Sequence, residues 1–428
     1  MSKSLYYQSA MDIDARVYDF VEEAHNAIKD RFDEFEDTAQ YNQARILNAF
    51  QKYQIGLRHF SGTTGYGYGD DGRDVLDKVY SEVFGSEDAL VRPHWVSGTH
   101  VLSDGLFALL RPGDMILSVT GRPYDTLNEV IGIGEKASGS LREWGVSYDE
   151  IPLLGSTLDY DRIKDKLRDK RIRLVFIQRS RGYSQRDSLS VYDIDSIVRL
   201  VKDVRNDVLV MVDNCYCEFT EDKEPTSVGA DLVVGSLIKN PGGGLAPTGA
   251  YAAGTKHAVE LVAKRLTSPG IGREVGSYQG GYTAFYQGLF LAPHTVEQAL
   301  KGAVLFARLF EDLGYRVSPG SCEKRYDIVQ SIEFNTAEEL IAFCQAVQAS
   351  SPVDGHAVPF PWDMPGYEHQ VIMAAGTFVQ GASIELSADA PIREPYIAYL
   401  QGGLTYSHVK IAALKVLTRL KAKGFIIL

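Results

Sequence analysis

The segment 208–244 places an aspartate and a lysine at the ends of two apolar runs. Asp213 follows the apolar run 208–212, and Lys239 lies three residues after Ser236, where a second apolar run ends. A lysine amine can form a Schiff base with an aldehyde cofactor, and a carboxylate can keep a pyridine nitrogen protonated so that the ring withdraws electrons. The pair therefore predicts a pyridoxal 5'-phosphate (PLP) site in which Lys239 and Asp213 are catalytic.

Each of these residues also has a purely structural interpretation. A lysine after a strand can be a surface residue, Asp213 can cap a turn with Asn214, and Ser236 can be an ordinary strand-end hydroxyl. Three glycines at 242–244 follow the lysine and allow the backbone to approach another group closely. Because these features occur together, we predict that Ser236 binds the cofactor phosphate.

A second group of candidate residues opens a predicted helix. Ser97, Gly98 and Thr99 stand at its N-terminus, where free N–H groups and the helix dipole can bind an anion. A plain N-cap is the alternative. Tyr124 lies in a turn after a predicted strand, where its ring can stack on a pyridine and assist proton transfer, or can simply pack.

Composition restricts the possible partners. The chain has 428 residues, of which 45% are hydrophobic, and 44 basic against 56 acidic residues give a formal charge of −12. This balance argues against a general nucleic-acid surface. No apolar run approaches the ~18 residues of a membrane span, and the N-terminus lacks an apolar signal core. We expect a cytoplasmic protein without nucleic-acid or membrane partners.

Four cysteines are present, and two of them, Cys215 and Cys217, form a Cys-x-Cys pair. No histidine or further cysteine lies at ligand spacing, so we predict no metal site and expect buried thiols instead. Tyr216 between them is predicted to continue the apolar end of a strand. The low cysteine count agrees with a reducing cytoplasm.

Apolar runs alternate with helical patterns from about residue 75 to residue 236. This alternation predicts a mostly parallel α/β sheet covered by helices. The predicted strands are 89–91, 115–119, 147–151, 174–177, 208–212 and 232–234. The predicted helices are 75–84, 101–110, 126–132, 160–169 and 194–204.

The two ends of the chain have different patterns. Two amphipathic helices are predicted at 13–32 and 39–53, and a long helix at 294–313. A smaller α+β unit follows, with strands near 328–334, 371–375 and 383–386 and helices at 337–350 and 407–423. We therefore predict an N-terminal helical segment (1–58), a PLP-binding large domain (59–293) and a small C-terminal domain (294–428), with the long helix as a candidate hinge.

Several stretches together resemble the cofactor core of the PLP-dependent enzymes of cysteine and methionine metabolism, which have the aspartate-aminotransferase-like fold (fold type I). They follow in the order and spacing of that family: 97–99, 110–114, Tyr124, 212–214 and 229–239. The resemblance implies that Gly98 and Thr99 bind the phosphate and that Tyr124 stacks on the ring. It also implies that Asp213 holds the pyridine nitrogen and that Lys239 forms the Schiff base.

A finer resemblance, over nearly the whole chain, is to the methionine gamma-lyase-like or "aluminium resistance" subgroup. It rests on the segments 65–74, 177–183 and 387–396. The better-known lyases carry a Tyr-x-Arg that reaches the phosphate of a neighbouring subunit's cofactor. Here Tyr66 and Tyr68 are the matching residues, which implies a homodimer or homotetramer with a shared active site.

This chain departs from the better-known lyases at its arginines. Arg73 lies further along the chain than the arginine of the Tyr-x-Arg in those lyases, so the sequence does not decide whether Arg73 has the same role. Arg179 and Arg181 can contact phosphate or substrate carboxylate, or can be solvent-side charges. For the substrate carboxylate, Arg393 and Arg181 are candidates and Lys410 is a weaker one, because a guanidinium forms a bidentate pair with a carboxylate.

The resemblance implies a carbon–sulfur lyase that acts on a small sulfur amino acid of the cystathionine, cysteine or methionine type by beta- or gamma-elimination. Two alternatives stay open. One is another fold type I reaction, such as transamination, decarboxylation or aldol-type cleavage. The other is a non-catalytic PLP-binding protein that acts in metal tolerance.

Overall fold

The computed structural model describes residues 3–134, 138–155, 157–184, 186–364 and 369–428. The chain divides into two compact units, one formed by Met1–Gln40 with Pro293–Leu428 and the other by Tyr41–Ala292. The division into 1–58, 59–293 and 294–428 stays a prediction. Among the described residues, no helix has the length and apolar character needed to cross a bilayer.

Three helices begin the chain: α1 (Lys3–Met11), α2 (Ala15–Ala27) and α3 (Asp30–Lys52). The carboxylate of Asp14 caps α2 by accepting hydrogen bonds from the N–H groups of Arg16 and Val17. The predicted helix 13–32 is wrong in its end, because the chain leaves helical geometry at Ile28 and α3 begins two residues later. The apolar pattern continues across the break, so periodicity alone did not reveal it.

The larger unit is built on a seven-stranded sheet. Its strands are β1 (Asp88–Arg92), β2 (Met115–Ser118), β3 (Ser147–Glu150), β4 (Ile172–Gln178), β5 (Leu209–Asp213), β6 (Leu232–Ser236) and β7 (Ala250–Gly254). The order across the sheet is β1-β7-β6-β5-β4-β2-β3, and all neighbours pair in parallel except β7, which is antiparallel to β1 and β6. The predicted mostly parallel α/β sheet is confirmed.

Helices cover this sheet and bury its apolar faces. They are α4 (Asp71–Phe84), α5 (Gly98–Leu109), α6 (Asp125–Ile131), α7 (Tyr160–Lys166), α8 (Val191–Val204) and α9 (Lys256–Leu266). A buried core forms between α5, α9 and the central strands, with Leu106, Phe176, Leu232 and Val262 fully enclosed. The sequence patterns did not predict β7 or α9. The strand β7 reads Ala-Tyr-Ala-Ala-Gly, and such small residues have weak strand preference.

The smaller unit continues from α10 (Thr283–Asp312), which begins eleven residues before its predicted start and runs through Pro293. A five-stranded antiparallel sheet has the order β10-β11-β12-β9-β8. The strands of this sheet are β8 (Arg316–Ser318), β9 (Val329–Phe334), β10 (Val371–Ala374), β11 (Ser387–Pro391) and β12 (Tyr396–Gln401). The same part of the chain contains the helices α11 (Ala337–Gln348) and α12 (Tyr406–Ala422). The predicted strand 383–386 is wrong. Ile384 and Leu386 are buried, which gives the apolar pattern, but they lie in turns before β11.

Candidate active site

Asp213 and Lys239 lie at the carboxyl edge of the large sheet. Asp213 is the last residue of β5, and the parallel neighbour β6 ends at Ser236, three residues before the lysine. Parallel strands end at the same edge, so the two side chains share one region of the fold. Asp213 and Ser236 are buried, whereas Lys239 is half-buried.

The Lys239 amine faces an aromatic ring that the sequence patterns did not identify. Its Nζ atom lies 3.9 Å from the centroid of the Tyr216 ring, within the range of a cation–π contact. The prediction that Tyr216 continues a strand is wrong, since β5 ends at Asp213 and a turn follows. Tyr216 has a φ of 73° and Phe219 a φ of 63°, values that non-glycine residues adopt rarely and that cluster at functional sites.

Electrostatic interactions couple the groups around the lysine. Burial raises the pKa of the Asp213 carboxyl, and the nearby Lys239 amine opposes that shift. Burial by itself lowers the pKa of the Lys239 amine, but Cys215, Tyr216 and Asp213 raise it, and the net direction is upward. The backbone N–H of Cys215 donates to Asp213 Oδ1 at 3.1 Å and fixes the carboxylate. Burial also raises the pKa of the Cys215 thiol.

The first turn of α5 meets the end of β6. Ser97 caps the helix by accepting a hydrogen bond from the His100 N–H at 3.1 Å. A Cβ atom at Gly98 would lie 3.5 Å from Ser236 Cβ and 3.5 Å from Cys215 Sγ. The structure thus brings the predicted phosphate-binding residues Gly98 and Ser236 side by side, with the helix N-terminus directed to the same edge.

Tyr124 is joined to this helix start by a chain of hydroxyl groups. Thr99 Oγ1 lies 3.2 Å from Tyr124 Oη and 3.2 Å from Thr126 Oγ1. Burial and the nearby Asp213 carboxylate raise the pKa of the Tyr124 phenol, which is therefore protonated at neutral pH. The Tyr124 backbone N–H donates to Gln178 Oε1 at 3.1 Å, which anchors the turn to β4. The sequence analysis missed Thr126 because a threonine at a helix start is most simply a capping residue.

Tyr66 and Tyr68 lie on an exposed loop. Their side chains are 73% and 69% exposed, and the ring centroids are 5.7 Å apart. Arg73, whose place the sequence left open, is buried and donates from Nη1 to the carbonyl oxygen of Gly67 at 3.0 Å. The N–H of Gly276 donates to the Tyr66 carbonyl oxygen at 3.0 Å. Arg73 therefore holds its own chain's tyrosine loop in place.

The solvent-side interpretation of Arg179 and Arg181 is wrong, because both guanidinium groups are fully buried. Arg179 donates to Asn214 Oδ1 at 2.8 Å and to the Leu189 carbonyl oxygen at 3.0 Å, and it also pairs with Glu221. These contacts place Arg179 in a structural cluster beneath the Asp213 turn. Arg181 Nη2 lies 3.9 Å from Asp187 Oδ1.

The remaining carboxylate candidates lie in the smaller unit. Arg393 is exposed in the turn between β11 and β12, where its N–H donates to the Pro391 carbonyl oxygen at 3.0 Å. Lys410 Nζ lies 2.8 Å from Glu22 Oε1, so its charge is already paired. Lys410 stays the weaker candidate for the substrate carboxylate.

A buried cluster of hydrogen-bonded polar residues, the acid cluster, adjoins the site and consists of Asn214, Glu218, Glu224 and Tyr251. No sequence motif predicted it. Tyr251 Oη, on β7, donates to Glu218 Oε1 at 3.0 Å. Asn214 Nδ2, next to Asp213, donates to Tyr251 Oη at 3.2 Å and to Glu224 Oε2 at 2.8 Å. All four side chains are buried. The contacts join residues 214, 218 and 224 to a distant strand, which a linear pattern cannot show.

The assembled residues fit PLP. A half-buried lysine amine can react with its aldehyde and a buried carboxylate can bind its pyridine nitrogen, while the bare Gly98 backbone and the Ser236 hydroxyl can bind its phosphate.

Cys215 and Cys217, the Cys-x-Cys pair, are buried. Within the described parts of the chain, no group of three His, Cys, Asp or Glu residues is arranged to hold a metal ion.

Comparison with known proteins gives a consistent result. The family model described as methionine gamma-lyase matches residues 17–421. The uncharacterized protein YnbB of Bacillus subtilis (strain 168) is 50% identical over 395 residues, which are 92% of this chain and 94% of that protein. The crystal structure of a carbon-sulfur lyase involved in aluminum resistance from Clostridium novyi NT aligns with a TM-score of 0.94 and 52% identity, covering 98% of this chain and 100% of that one.

More distant structures share the fold alone. The PLP-dependent protein YhfS of Escherichia coli aligns with a TM-score of 0.60 at 17% identity, covering 90% of this chain and 96% of that one. The predicted fold class, a PLP fold type I large sheet with a smaller α+β unit, is confirmed by this likeness and by the two sheets described above.

Proposed function

The chain belongs to the methionine gamma-lyase family, and on that premise we propose that it is a PLP-dependent carbon–sulfur lyase acting on a small sulfur amino acid by beta- or gamma-elimination. The observation that carries the proposal is the Lys239 amine, which lies beside Asp213 at the edge where α5 begins and β6 ends. The name of the Clostridium novyi relative, a carbon-sulfur lyase, supports the reaction class.

The residues that would hold the cofactor form one continuous edge. Gly98, Thr99 and Ser236, with the N-cap Ser97, would hold its phosphate through backbone N–H groups and hydroxyls. Asp213, fixed by the Cys215 N–H, would hold the pyridine nitrogen in its protonated form. When bound, PLP supplies a carbonyl that condenses with amines and a ring that withdraws electrons from the alpha carbon of an amino acid.

Lys239 is the base positioned to take the proton from the substrate's alpha carbon. The Tyr216 ring at 3.9 Å stabilises its ammonium form, so the amine can hold this proton after transfer. Tyr124 would lie over the cofactor ring, where its phenol, hydrogen-bonded to Thr99, can assist proton transfer. The substrate carboxylate would be bound by Arg181 or Arg393, which carry the suitable planar donor group.

We further propose that the active unit is a homodimer or homotetramer. Tyr66 and Tyr68 expose most of their ring surface on a loop that Arg73 and Gly276 hold rigidly. Two adjacent exposed tyrosines carry both apolar surface and hydroxyl donors, which suits contact with a neighbouring subunit's cofactor phosphate.

Product analysis tests the proposed reaction. Purified holoprotein would be incubated with cystathionine, cysteine and methionine in turn, with measurement of keto acid, ammonia and free thiol. We expect at least one substrate to give all three products, and Lys239→Ala to give none. Lys223→Ala, which removes an exposed lysine, is the matched control and should keep the activity.

Two results would contradict the proposal. Transfer of the amino group to an added keto acid without thiol release would identify a transaminase. A folded, PLP-loaded protein that releases no product from any of the three amino acids, and transfers no amino group, would support a non-catalytic binding protein.

A further inference from the structure

Glu218 is a carboxyl group buried next to the proposed site, and the proposed reaction gives it no role. It lies in the turn after β5, between the left-handed residues Tyr216 and Phe219. Its Oε1 atom accepts a hydrogen bond from Tyr251 Oη at 3.0 Å, while Oε2 is buried and has no hydrogen-bond partner among the residues that the structure describes. A buried carboxylate with an unsatisfied oxygen is costly, which favours the protonated acid.

Apolar and aromatic groups enclose this carboxyl. The Tyr251 ring packs against Phe84 and Tyr80, with centroid distances of 4.6 and 5.9 Å. Gly235 lies opposite Tyr251 in the β6–β7 pair, and a Cβ atom there would overlap Glu218 Oε1 and approach Tyr251 Cε1 to 2.6 Å. The glycine leaves the space that the carboxyl fills, one residue before Ser236.

Burial and the nearby Glu224 carboxyl raise the pKa of Glu218 and favour the neutral acid. The Arg179 guanidinium is already shared by two other carboxyls, Glu221 and Glu224. Burial raises the pKa of Glu218 to about 8, against the opposing effect of the nearby Lys239 amine. Several titratable or charged groups interact electrostatically with Glu218. They are Tyr80, Arg179, Cys215, Glu224, Lys239 and Tyr251.

Two hydrogen bonds connect Glu218 and its partner to the site. The carbonyl oxygen of Glu218 accepts from Asn240 Nδ2 at 3.0 Å, next to Lys239. Tyr251 Oη accepts from Asn214 Nδ2 at 3.2 Å, next to Asp213. The Glu218 backbone carbonyl therefore joins the turn after β5 to the turn after β6, and its carboxyl holds Tyr251, which contacts Asn214 beside Asp213.

We propose that Glu218 is a positioning residue of the active site, a neutral acid whose carboxyl holds Tyr251 against the Asp213 turn and whose backbone carbonyl holds the Lys239 turn, so that Asp213 supplies the carboxylate charge that acts on the lysine nitrogen. This inference rests on the proposed function. A second negative charge beside Lys239 would stabilise its protonated form and withhold the free amine. The neutral Glu218 preserves the amine's reactivity, and its ionisation at alkaline pH reduces it.

The test compares wild type, Glu218→Gln and Glu218→Ala as PLP-loaded proteins. The visible absorption band of the lysine-bound cofactor reports the protonation of the lysine nitrogen, and it would be followed from about pH 6 to about pH 10. Near pH 6 we expect wild type and Glu218→Gln to have the same spectrum, since glutamine matches a neutral acid and can accept from Tyr251. Above about pH 8, where Glu218 ionises in wild type, the lysine nitrogen of wild type should keep its proton to a higher pH than that of Glu218→Gln. We expect a difference of roughly half a pH unit or more.

Glu218→Ala separates this role from mere packing. It removes the acceptor of Tyr251 and should change the spectrum already near pH 6, so that glutamine rescues what alanine loses. Superimposable titrations of wild type and Glu218→Gln would overturn the inference. So would a Glu218→Gln spectrum that differs from wild type near pH 6, because that carboxyl would then be charged throughout.

A second measurement distinguishes failure of this inference from failure of the proposed function. If no band forms in wild type, the proposed function fails. The infrared C=O stretch of a protonated carboxylic acid then still tests Glu218 in the cofactor-free protein. We expect this signal in wild type near pH 6 and its loss both in Glu218→Gln and near pH 10. Its absence from the wild-type minus Glu218→Gln difference spectrum near pH 6 would overturn the neutral acid.

Discussion

Replacing Arg179 by methionine tests whether this arginine is structural. The side chain is fully buried and donates to Asn214 Oδ1, to the Leu189 carbonyl oxygen and to Glu221. Methionine keeps much of the volume but leaves buried carboxyls without their cation. Removing one partner of a buried ion pair costs about 3–5 kcal/mol, and we expect a loss of this size in the free energy of unfolding.

The loss should depend on pH. Burial raises the pKa of Glu221 and of Glu224, and Arg179 opposes both shifts, so its removal raises both further. A carboxyl whose folded pKa lies above its unfolded value stabilises the protein below the unfolded pKa, and this stability is lost as the pH rises through the folded pKa. Arg179→Met should therefore be destabilised more near pH 8 than near pH 5.

Urea denaturation of the PLP-loaded protein, followed by circular dichroism, measures both effects. Arg173→Met is the matched control, because Arg173 forms an exposed pair with Asp207 at 2.6 Å and should lose less than about 1 kcal/mol. A loss below about 1 kcal/mol for Arg179→Met, together with a raised KM, would refute the structural role and make Arg179 a ligand of phosphate or substrate.

Two further predictions concern the buried acid cluster. Because the pKa of Glu218 rises from 4.5 to about 8, wild type should lose free energy of unfolding on the order of 5 kcal/mol as the pH rises through that window. In urea titrations at the two ends of this pH window, the free energy of unfolding of Glu218→Gln should fall less than that of wild type, by about that amount. Equal falls in the two proteins would contradict the raised pKa. Gly235→Ala places a Cβ 2.6 Å from Tyr251 Cε1 in a buried site and should cost roughly 1–3 kcal/mol. Gly56→Ala, whose Cβ would meet nothing closer than 3.9 Å, is the control, and equal thermal stability of the two variants would contradict the packing argument.

The elements that carry Asp213 and Ser236 could be predicted because their strands are apolar on both faces and end in polar residues. The helix start at Ser97 was predictable for a similar reason, since its capping residue precedes an apolar helix. The strand β7 was not predicted, although its Tyr251 completes the acid cluster. Its small residues lack the pattern of a strand, and burial in the sheet decides their conformation.

The site residues that sequence reasoning missed act through contacts between distant positions. Tyr216 faces Lys239 because the turn after β5 adopts a left-handed backbone, which nothing in Cys-Tyr-Cys indicates. The same turn brings Glu218 to Tyr251 on another strand. Strained turns and buried polar networks are where local patterns fail, because the surrounding fold determines them.

The central claim, that Lys239 carries the cofactor, is tested most directly by reduction of the PLP-loaded protein with borohydride, followed by peptide mapping. Reduction makes the lysine–cofactor bond permanent, so that mass spectrometry can locate it. We predict the pyridoxyl mass on the peptide containing Lys239 in wild type, and its absence in a folded Lys239→Ala variant. A modified peptide elsewhere in the chain, or no modification of a folded wild-type protein, would contradict the account.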